Sequence, residues 1–391
     1  MKNKVFVSLS LSVFLSSAFI ASEALAVSQK QTQVSVSSVT TAEAESYFNA
    51  FLEQQKSDFE SNNPLGNTEI SKLSPQDDAV LIFLSNTQVD NLKFNGFSYE
   101  VSDINVYNEN GKTYADAYII RNLNFGPDQV TTGLGDEITI EIPNIESPQA
   151  SATFKNGLSN TEKTISLEEI SYENHNEIDT KIDVNKFLKA YKTEVEKSKK
   201  LEQEEKNKLK RSLHQGASSQ PTLTGEDSKI IAMAATSPYY NRAAAVDYAR
   251  KYAIKPNPSY TYYTNADCTN FVSQALRAGR IPEYPKWKPY TDAFINAGSF
   301  RDYIREEGGI KMRTSSDTYT NASLGDVYHY DTRNKAFLPF PDDWMEHTAI
   351  VTKKANSSIY VSYHSTNRLD VKREYYTSVE GGNRFLSEIL H

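Results

Sequence analysis

Tyr263-Thr264-Asn265-Ala266-Asp267-Cys268-Thr269-Asn270-Phe271-Val272 is the stretch that decides the fold of the C-terminal part of this chain. Turn-forming residues end at Asp267, which is a favourable N-cap residue, as is Asn265. An amphipathic helical pattern then runs to Ala278, and Gly279 is a typical helix stop. The stretch therefore predicts a helix that begins at Cys268 and places the sulfur at the edge of a core.

Cys268 is the only cysteine in the 391 residues, so it has no partner for a disulfide within the chain. The N-terminal end of a helix stabilises a thiolate, which is the form of cysteine that attacks a carbonyl carbon. The free N–H groups of the first helical turn can also hold an oxyanion. A lone thiol at this position is more typical of a nucleophile than of a structural residue.

Two histidines are the candidate partners of the thiol. His347 opens the predicted strand 347–352, and His364 closes the predicted strand 359–364. A turn centred on Ala355-Asn356 would make the two histidines direct cross-strand neighbours. One of them would then accept the thiol proton while the other orients it. Asn367 and Asp370 are the alternatives to His364 as the orienting residue.

His329 is separated from this pair, and strand alternation predicts a surface position for it.

The composition excludes several classes of function. The formal net charge of −8 and the absence of a dense basic stripe argue against nucleic-acid binding. One cysteine and scattered histidines lack the spacing of a zinc site, and Asp342-Asp343 lacks the pattern of a calcium loop, so neither a metal nor another cofactor is expected. After the first 26 residues no run is long and apolar enough for a transmembrane helix.

The chain divides into five predicted segments. Residues 1–26 carry Lys2 and Lys4, an apolar stretch and Ala24-Leu25-Ala26, which is the pattern of a secretory signal peptide and predicts a secreted protein. Residues 27–40 are a flexible leader, and residues 41–182 are a separate, acidic α+β domain of unknown role. Residues 183–236 are a solvated charged helix and a flexible linker, and residues 237–391 are the domain that carries Cys268.

Within the N-terminal domain the sequence predicts a helix from Thr41, then strands at 79–84, 97–106, 113–122 and 137–142. Asn110-Gly111 lies between the second and third of these strands and is a strong hairpin signal.

The C-terminal segment resembles a known family. The motifs are Tyr240-Asn241-Arg242, then Asp267-Cys268-Thr269-Asn270-Phe271-Val272-Ser273-Gln274-Ala275-Leu276, then Leu324-Gly325-Asp326-Val327 and His347-Thr348-Ala349-Ile350-Val351. Together they are similar to the putative amidase domain of secreted bacterial proteins, a branch of the NlpC and CHAP group of papain-like cysteine hydrolases. The similarity covers residues from about 238 to 391.

The resemblance implies an α+β fold in which a helix-borne cysteine packs on an antiparallel sheet. It implies Cys268 as nucleophile, His347 as base and His364 at the position of the third polar residue. Many members of the group act on amide bonds of peptidoglycan, so the expected function is that of an exported cysteine amidase or peptidase. The alternatives are an inactive domain that binds cell-wall material, as in an adhesion protein, and an acyltransferase that uses the same Cys and His.

Overall fold

The structure is a computed structural model that describes residues 39–64, 77–127, 130–142, 171–174, 183–215, 240–306, 309–332 and 345–390. The predicted signal peptide, the leader up to residue 38 and the linker 216–239 lie outside the described residues.

Helices and strands alternate in groups along the described chain. The helices are α1 (Thr41–Glu60), α2 (Asp78–Leu84), α3 (Val184–Gln215), α4 (Arg242–Tyr252), α5 (Cys268–Ala278), α6 (Asp292–Ile295), α7 (Ala297–Glu306) and α8 (Arg373–Glu380). The strands are β1 (Phe94–Glu109), β2 (Lys112–Phe125), β3 (Val130–Ile142), β4 (Ser171–Asn174), β5 (Met312–Ser315), β6 (Val327–Asp331), β7 (His347–Ala355), β8 (Ser358–Tyr363), β9 (Arg368–Lys372) and β10 (Asn383–Ile389).

The ten strands form one antiparallel sheet in the order β1-β2-β3-β9-β8-β7-β6-β10-β5, with β4 paired to β3 beside β9. Each face of this sheet is covered by helices. Alternate residues of β7 enter two different cores, because Ala349 and Val351 pack with α1, α2 and α3, whereas Ile350 packs with α4, α5 and α7. The helix that begins at Cys268 therefore lies on the Ile350 face.

The first helix and the first hairpin were correctly predicted. Thr40 and Glu43 form a capping box at the start of α1, and each satisfies a backbone N–H of the other residue. Asn110 and Gly111 both have positive φ, 51° and 79°, and connect the paired residues Glu109 and Lys112. This is the two-residue turn that an Asn-Gly sequence favours.

The predicted strand at 79–84 is wrong, because these residues belong to α2. Asp77 caps the helix by accepting a hydrogen bond from Ala79 N at 2.8 Å. All six residues from Ala79 to Leu84 are buried. A short, fully buried apolar run has no polar side to reveal its period, so the sequence alone does not separate a helix from a strand.

The predicted separation into two domains differs from the structure. The described residues between 39 and 390 form one compact unit, and its sheet passes from the N-terminal strands to the C-terminal strands where β3 pairs with β9. Behind this junction Arg368 contacts both Asp78 and Asp136, while Arg121 contacts Asp77 and Asp136. These five side chains are buried, so the two parts of the chain share a charged core.

Helix α3 is more than the solvated spacer that its composition predicts. Ser198 donates to Glu374 at 2.7 Å, and Arg384 contacts Glu194 at 2.5 Å. Glu202 accepts from the backbone N–H of Tyr319 at 2.9 Å. The charged residues of α3 therefore attach this helix to α8 and to the C-terminal strands.

Candidate functional site

Cys268 is the first residue of α5, as the sequence predicts. The first intrahelical bond runs from Phe271 N to Asp267 O at 2.9 Å, which makes Asp267 the N-cap. The sulfur-bearing residue is 6% exposed. The thiol thus lies in the first helical turn, where free N–H groups and the helix dipole favour negative charge.

The Asp267 carboxylate does not cap the helix in the usual way. Its Oδ1 accepts from Tyr263 N at 3.0 Å and from Asn270 Nδ2 at 2.7 Å, and its Oδ2 lies 2.6 Å from Nδ1 of His364. Asp267 is therefore the residue that joins the loop, the helix and the end of β8.

His364 is held between two acceptors. Its Nδ1 faces the Asp267 carboxylate, and its Nε2 lies 2.7 Å from the backbone oxygen of Tyr252. A carbonyl oxygen cannot donate, so Nε2 is the donor in the bond to Tyr252. The ring also stacks on Phe271, with centroids 4.1 Å apart. These contacts fix His364 against α4 and α5.

The predicted pairing of His347 with His364 is wrong. The β7–β8 turn is centred on Asn356-Ser357 instead of Ala355-Asn356, and both turn residues have positive φ. This turn shifts the strand register by two residues from the predicted one. A bulge between Val351 and Lys353 then shifts it back by one residue, so that Ile350 pairs with Ser362. This net slip of one residue places His347 and His364 on opposite faces of the sheet.

His347 lies in an aromatic pocket on its own face. Its ring is stacked on Tyr376, with centroids 4.1 Å apart and planes 10° apart, and is edge-on to Tyr363. Burial lowers the pKa of His347 from 6.5 to about 3. Its Nε2 is buried and has no hydrogen-bond partner among the described residues. His347 is therefore neutral near pH 7 and keeps one ring nitrogen uncommitted.

The thiol lies near the start of β7, the strand that His347 opens. Sγ of Cys268 lies 4.0 Å from the backbone oxygen of Glu346, the residue before His347, and 3.7 Å from Oγ1 of Thr269. Burial raises the pKa of Tyr376, and negative charge at Glu380 and Cys268 raises it further. Tyr376 thus stacks on the His347 ring and lies close enough to Cys268 for an electrostatic interaction, although Sγ and that ring are not hydrogen-bonded.

Neither of the alternative orienting residues contacts His347. Asn367 accepts from Tyr262 Oη at 3.3 Å, and Asp370 accepts from Arg250 at 2.5 Å and from Thr352 at 2.8 Å. Among the described residues, neither of these side chains nor His364 is hydrogen-bonded to the His347 ring.

His329 is buried, contrary to the predicted surface position. Burial, with a smaller contribution from Arg301, holds its pKa well below 6.5, and neither ring nitrogen has a partner among the described residues. Its cross-strand neighbour is Thr348, whose Oγ1 lies 2.6 Å from Oγ1 of Thr269. Residues two apart in a strand lie on the same face, so His329 shares the face of the buried Val327, and its ring packs near Phe300 of α7.

The Gly325-Asp326 motif has a structural role in the described chain. Asp326 is buried, contacts Arg242 at 2.7 Å and accepts from the backbone N–H groups of Ser323 and Ile389. Gly325 has φ +82° and presents its oxygen to Tyr240 Oη at 2.6 Å. The motif therefore joins the start of α4 to β6 and β10.

Sequence reasoning missed two features of this site. The stacking of Tyr376 on His347 arises from α8, and no spacing along the chain indicates it. The Asp267–His364 pair had one available signal, because an acidic residue directly precedes the cysteine.

The described residues contain no group of three or more His, Cys, Asp or Glu side chains suited to a metal ion. No helix within them has the length and apolar character to cross a membrane.

Comparison with known proteins places this site in a family. Residues 239–385 match the family described as "Putative amidase domain". The whole chain is 44% identical over 417 aligned positions to the uncharacterized protein YjcM of Bacillus subtilis strain 168, with full coverage of both proteins. A second B. subtilis protein, uncharacterized YhbB, is 29% identical over 125 residues, which are 29% of this chain and 38% of YhbB. No solved structure matches. The chain therefore belongs to the family that includes YjcM, and its C-terminal part is a domain of the putative amidase type.

Proposed function

We propose that this protein is an exported cysteine amidase or endopeptidase of the papain-like NlpC/CHAP type, with Cys268 as nucleophile and His347 as general base. The observation that carries the proposal is the position of Sγ in the first turn of α5, 4.0 Å from the backbone of the residue that precedes His347. The match to an amidase domain over residues 239–385 supports amide hydrolysis as the reaction.

In the proposed mechanism His347 takes the proton from the Cys268 thiol as Sγ attacks the carbonyl carbon of the amide. The tetrahedral oxyanion is stabilised by N–H groups at the start of α5. Collapse of this tetrahedral intermediate breaks the C–N bond, and His347 gives the proton to the leaving amine. Water then attacks the thioester, giving its proton to His347, and the carboxylic acid product leaves as the thiol is restored.

The geometry supports different proposed tasks for the two histidines in this mechanism. His347 has an uncommitted Nε2, which is what a general base requires. His364 has acceptors at both nitrogens and is attached to the residue before the nucleophile. We therefore assign His364 the task of fixing the helix N-terminus, in place of orienting His347.

Peptidoglycan is the proposed substrate. The secretion signal expected at residues 1–26 would bring the enzyme to the cell wall, and the resemblance to NlpC and CHAP hydrolases favours a wall peptide amide. The protein would then be secreted or associated with the cell wall.

A second candidate function is binding of wall material without turnover. One observation favours it: Cys268 is buried, and the pKa of about 3 at His347 describes a weak base at the proposed site. An acyltransferase would use the same residues, with an amine in place of water as the acceptor of the acyl group.

The deciding experiment is digestion of purified peptidoglycan by the wild-type protein beside Cys268→Ala and His347→Ala. Newly exposed amino groups are quantified and the soluble fragments identified by mass spectrometry, with and without an added amine. Release by the wild type alone supports the hydrolase, and amine-modified fragments indicate the transferase. Equal release by wild type and Cys268→Ala would reject the mechanism, whereas binding without release by any of the three proteins would favour the binding function.

A further inference from the structure

The turn between β8 and β9, residues 364–367, connects the N-terminal strands to the cysteine helix. Ser365 and Asn367 both have positive φ, 77° and 40°, a conformation that non-glycine residues rarely adopt. Such backbone is kept only where its surroundings hold it in place, and it is concentrated at functional sites. The contacts of this turn therefore show what holds it.

One side of the turn is attached to the nucleophile's helix. Ser365 Oγ accepts from the backbone N–H of Asp267 at 3.2 Å, and the ring of His364 contacts the Asp267 carboxylate. Both bonds end on the residue that directly precedes Cys268. A displacement of the turn would therefore displace the helix N-terminus and its sulfur.

The other side of the turn is attached to β2 and β3. Asn367 Nδ2 donates to Tyr118 Oη at 3.2 Å, and Gly135 N donates to the backbone oxygen of Asn367 at 3.0 Å. Tyr118 Oη also donates to the backbone oxygen of Ile254, just after α4. Burial raises the Tyr118 pKa well above its usual value, so the hydroxyl remains a donor at all ordinary pH values.

Tight packing makes this attachment specific. A Cβ at Gly135 would lie 2.2 Å from Tyr118 Oη and 3.1 Å from the Ile254 oxygen. Only a glycine therefore permits β3 to approach the hydroxyl and the end of α4 this closely.

We propose that Tyr118 and Asn367 are positioning residues for Cys268, so that the N-terminal strands are part of the catalytic unit. This inference rests on the proposed cysteine chemistry. The N-terminal segment holds the β8–β9 turn, the turn holds Asp267, and Asp267 sets the place of the thiol at the start of α5.

The test uses full-length Tyr118→Phe and Asn367→Gly. Glycine removes the Asn367 side chain while tolerating its positive φ. The matched control is Tyr107→Phe, which removes a hydroxyl from the same β1–β2 hairpin. This hydroxyl contacts Asp116 at 3.3 Å and does not contact the β8–β9 turn. Because Cys268 is the only cysteine, iodoacetamide labelling reports on this thiol alone.

The labelling rate is measured from pH 5 to pH 10 on protein shown to be folded by circular dichroism, with peptidoglycan release measured in parallel. Tyr118→Phe and Asn367→Gly are expected to change the labelling rate about 5-fold or more, to move the pH midpoint, and to lower kcat about 10-fold with little effect on KM. In the double variant, the change in the logarithm of the labelling rate should be smaller than the sum of the changes in the two single variants. The reason is that both substitutions break the same chain of contacts.

Tyr107→Phe should match the wild type in every readout. A labelling profile that is unchanged in folded Tyr118→Phe and Asn367→Gly would overturn the inference. If no variant and not even the wild type releases amines, the proposed function fails, but the labelling profile still decides the positioning role.

Discussion

The rings of His347 and Tyr376 lie parallel, 4.1 Å apart, with Nε2 of the histidine buried and unpartnered. Burial is the physical cause of the low pKa of this ring, and the stacked Tyr376 contributes to that burial. The pair therefore favours the neutral form of the proposed base.

The first prediction concerns the pH dependence of activity. Because the His347 pKa is lowered to about 3, the base should stay neutral as the pH falls through 6.5. The acidic limb of kcat/KM for peptidoglycan release is expected below about pH 5. In Tyr376→Leu, water reaches the His347 ring, so the acidic limb of kcat/KM should move towards pH 6.5.

Proton NMR titration of the His347 ring in both proteins provides the independent measurement. A wild-type ring that titrates near pH 6.5 would contradict the role of Tyr376.

The second prediction is a loss of stability in mild acid. His329 and His347 have folded-state pKa values below 6.5, so between pH 6.5 and pH 3 the unfolded chain binds protons that the folded protein does not. Stability should therefore fall with falling pH, by about 1.4 kcal/mol per pH unit for each histidine well below pH 6.5. Urea unfolding at pH 5 and pH 6.5 measures the effect before most carboxylates titrate.

The comparison protein is His329→Leu. Its unfolding free energy should depend on pH about half as strongly as that of the wild type, and the variant should remain folded. An identical slope in His329→Leu and wild type would show that His329 is not buried as a neutral ring.

The third prediction concerns the buried charges at the β3–β9 junction. Arg368→Met leaves Asp78 and Asp136 without one of their cations and should cost about 3–5 kcal/mol of unfolding free energy. The control Lys255→Ala removes an exposed pair with Glu100 and should cost less than about 1 kcal/mol. Calorimetry of the wild type should show one cooperative transition for the N-terminal and C-terminal strands together.

Two separate transitions, with Arg368→Met lowering only one, would support two independent domains instead of one.

The fourth prediction uses two glycines with different surroundings. A Cβ at Gly279 would lie 2.6 Å from a ring carbon of Tyr240 and 2.9 Å from Cβ of Ala245, so Gly279→Ala should destabilise the protein by about 1–3 kcal/mol. At Gly133 the nearest atoms are all 3.2 Å away and belong to side chains, so Gly133→Ala should cost less. Thermal unfolding of the two variants side by side gives the order, and a larger loss in Gly133→Ala would contradict it.

The predictable parts of this protein are those encoded by neighbouring residues. Helix α5 and its start at Cys268 follow from an N-cap, an apolar stripe and a terminal glycine, and the first hairpin follows from Asn110-Gly111. The catalytic roles of Cys268, His347 and His364 stay predictions.

The errors came from features that the local sequence does not encode. The β7–β8 register depends on a bulge between Val351 and Lys353, which alternation does not reveal. The packing of the N-terminal and C-terminal halves into one unit depends on the ion pairs of Arg368 with Asp78 and Asp136. These aspartates are more than 200 positions away along the chain. Long-range pairing of this kind is a property of the folded chain and not of any short window.

The junction of β3 with β9 also covers part of a border strand of the C-terminal half. A strand at the border of a sheet offers unpaired N–H and C=O groups to any other chain, and proteins cover or charge such borders. β3 covers part of β9 at Arg368 and Leu369, next to the buried Val371. A fragment restricted to residues 239–385 would uncover this border and is expected to aggregate, even though it includes the whole region that matches the amidase family.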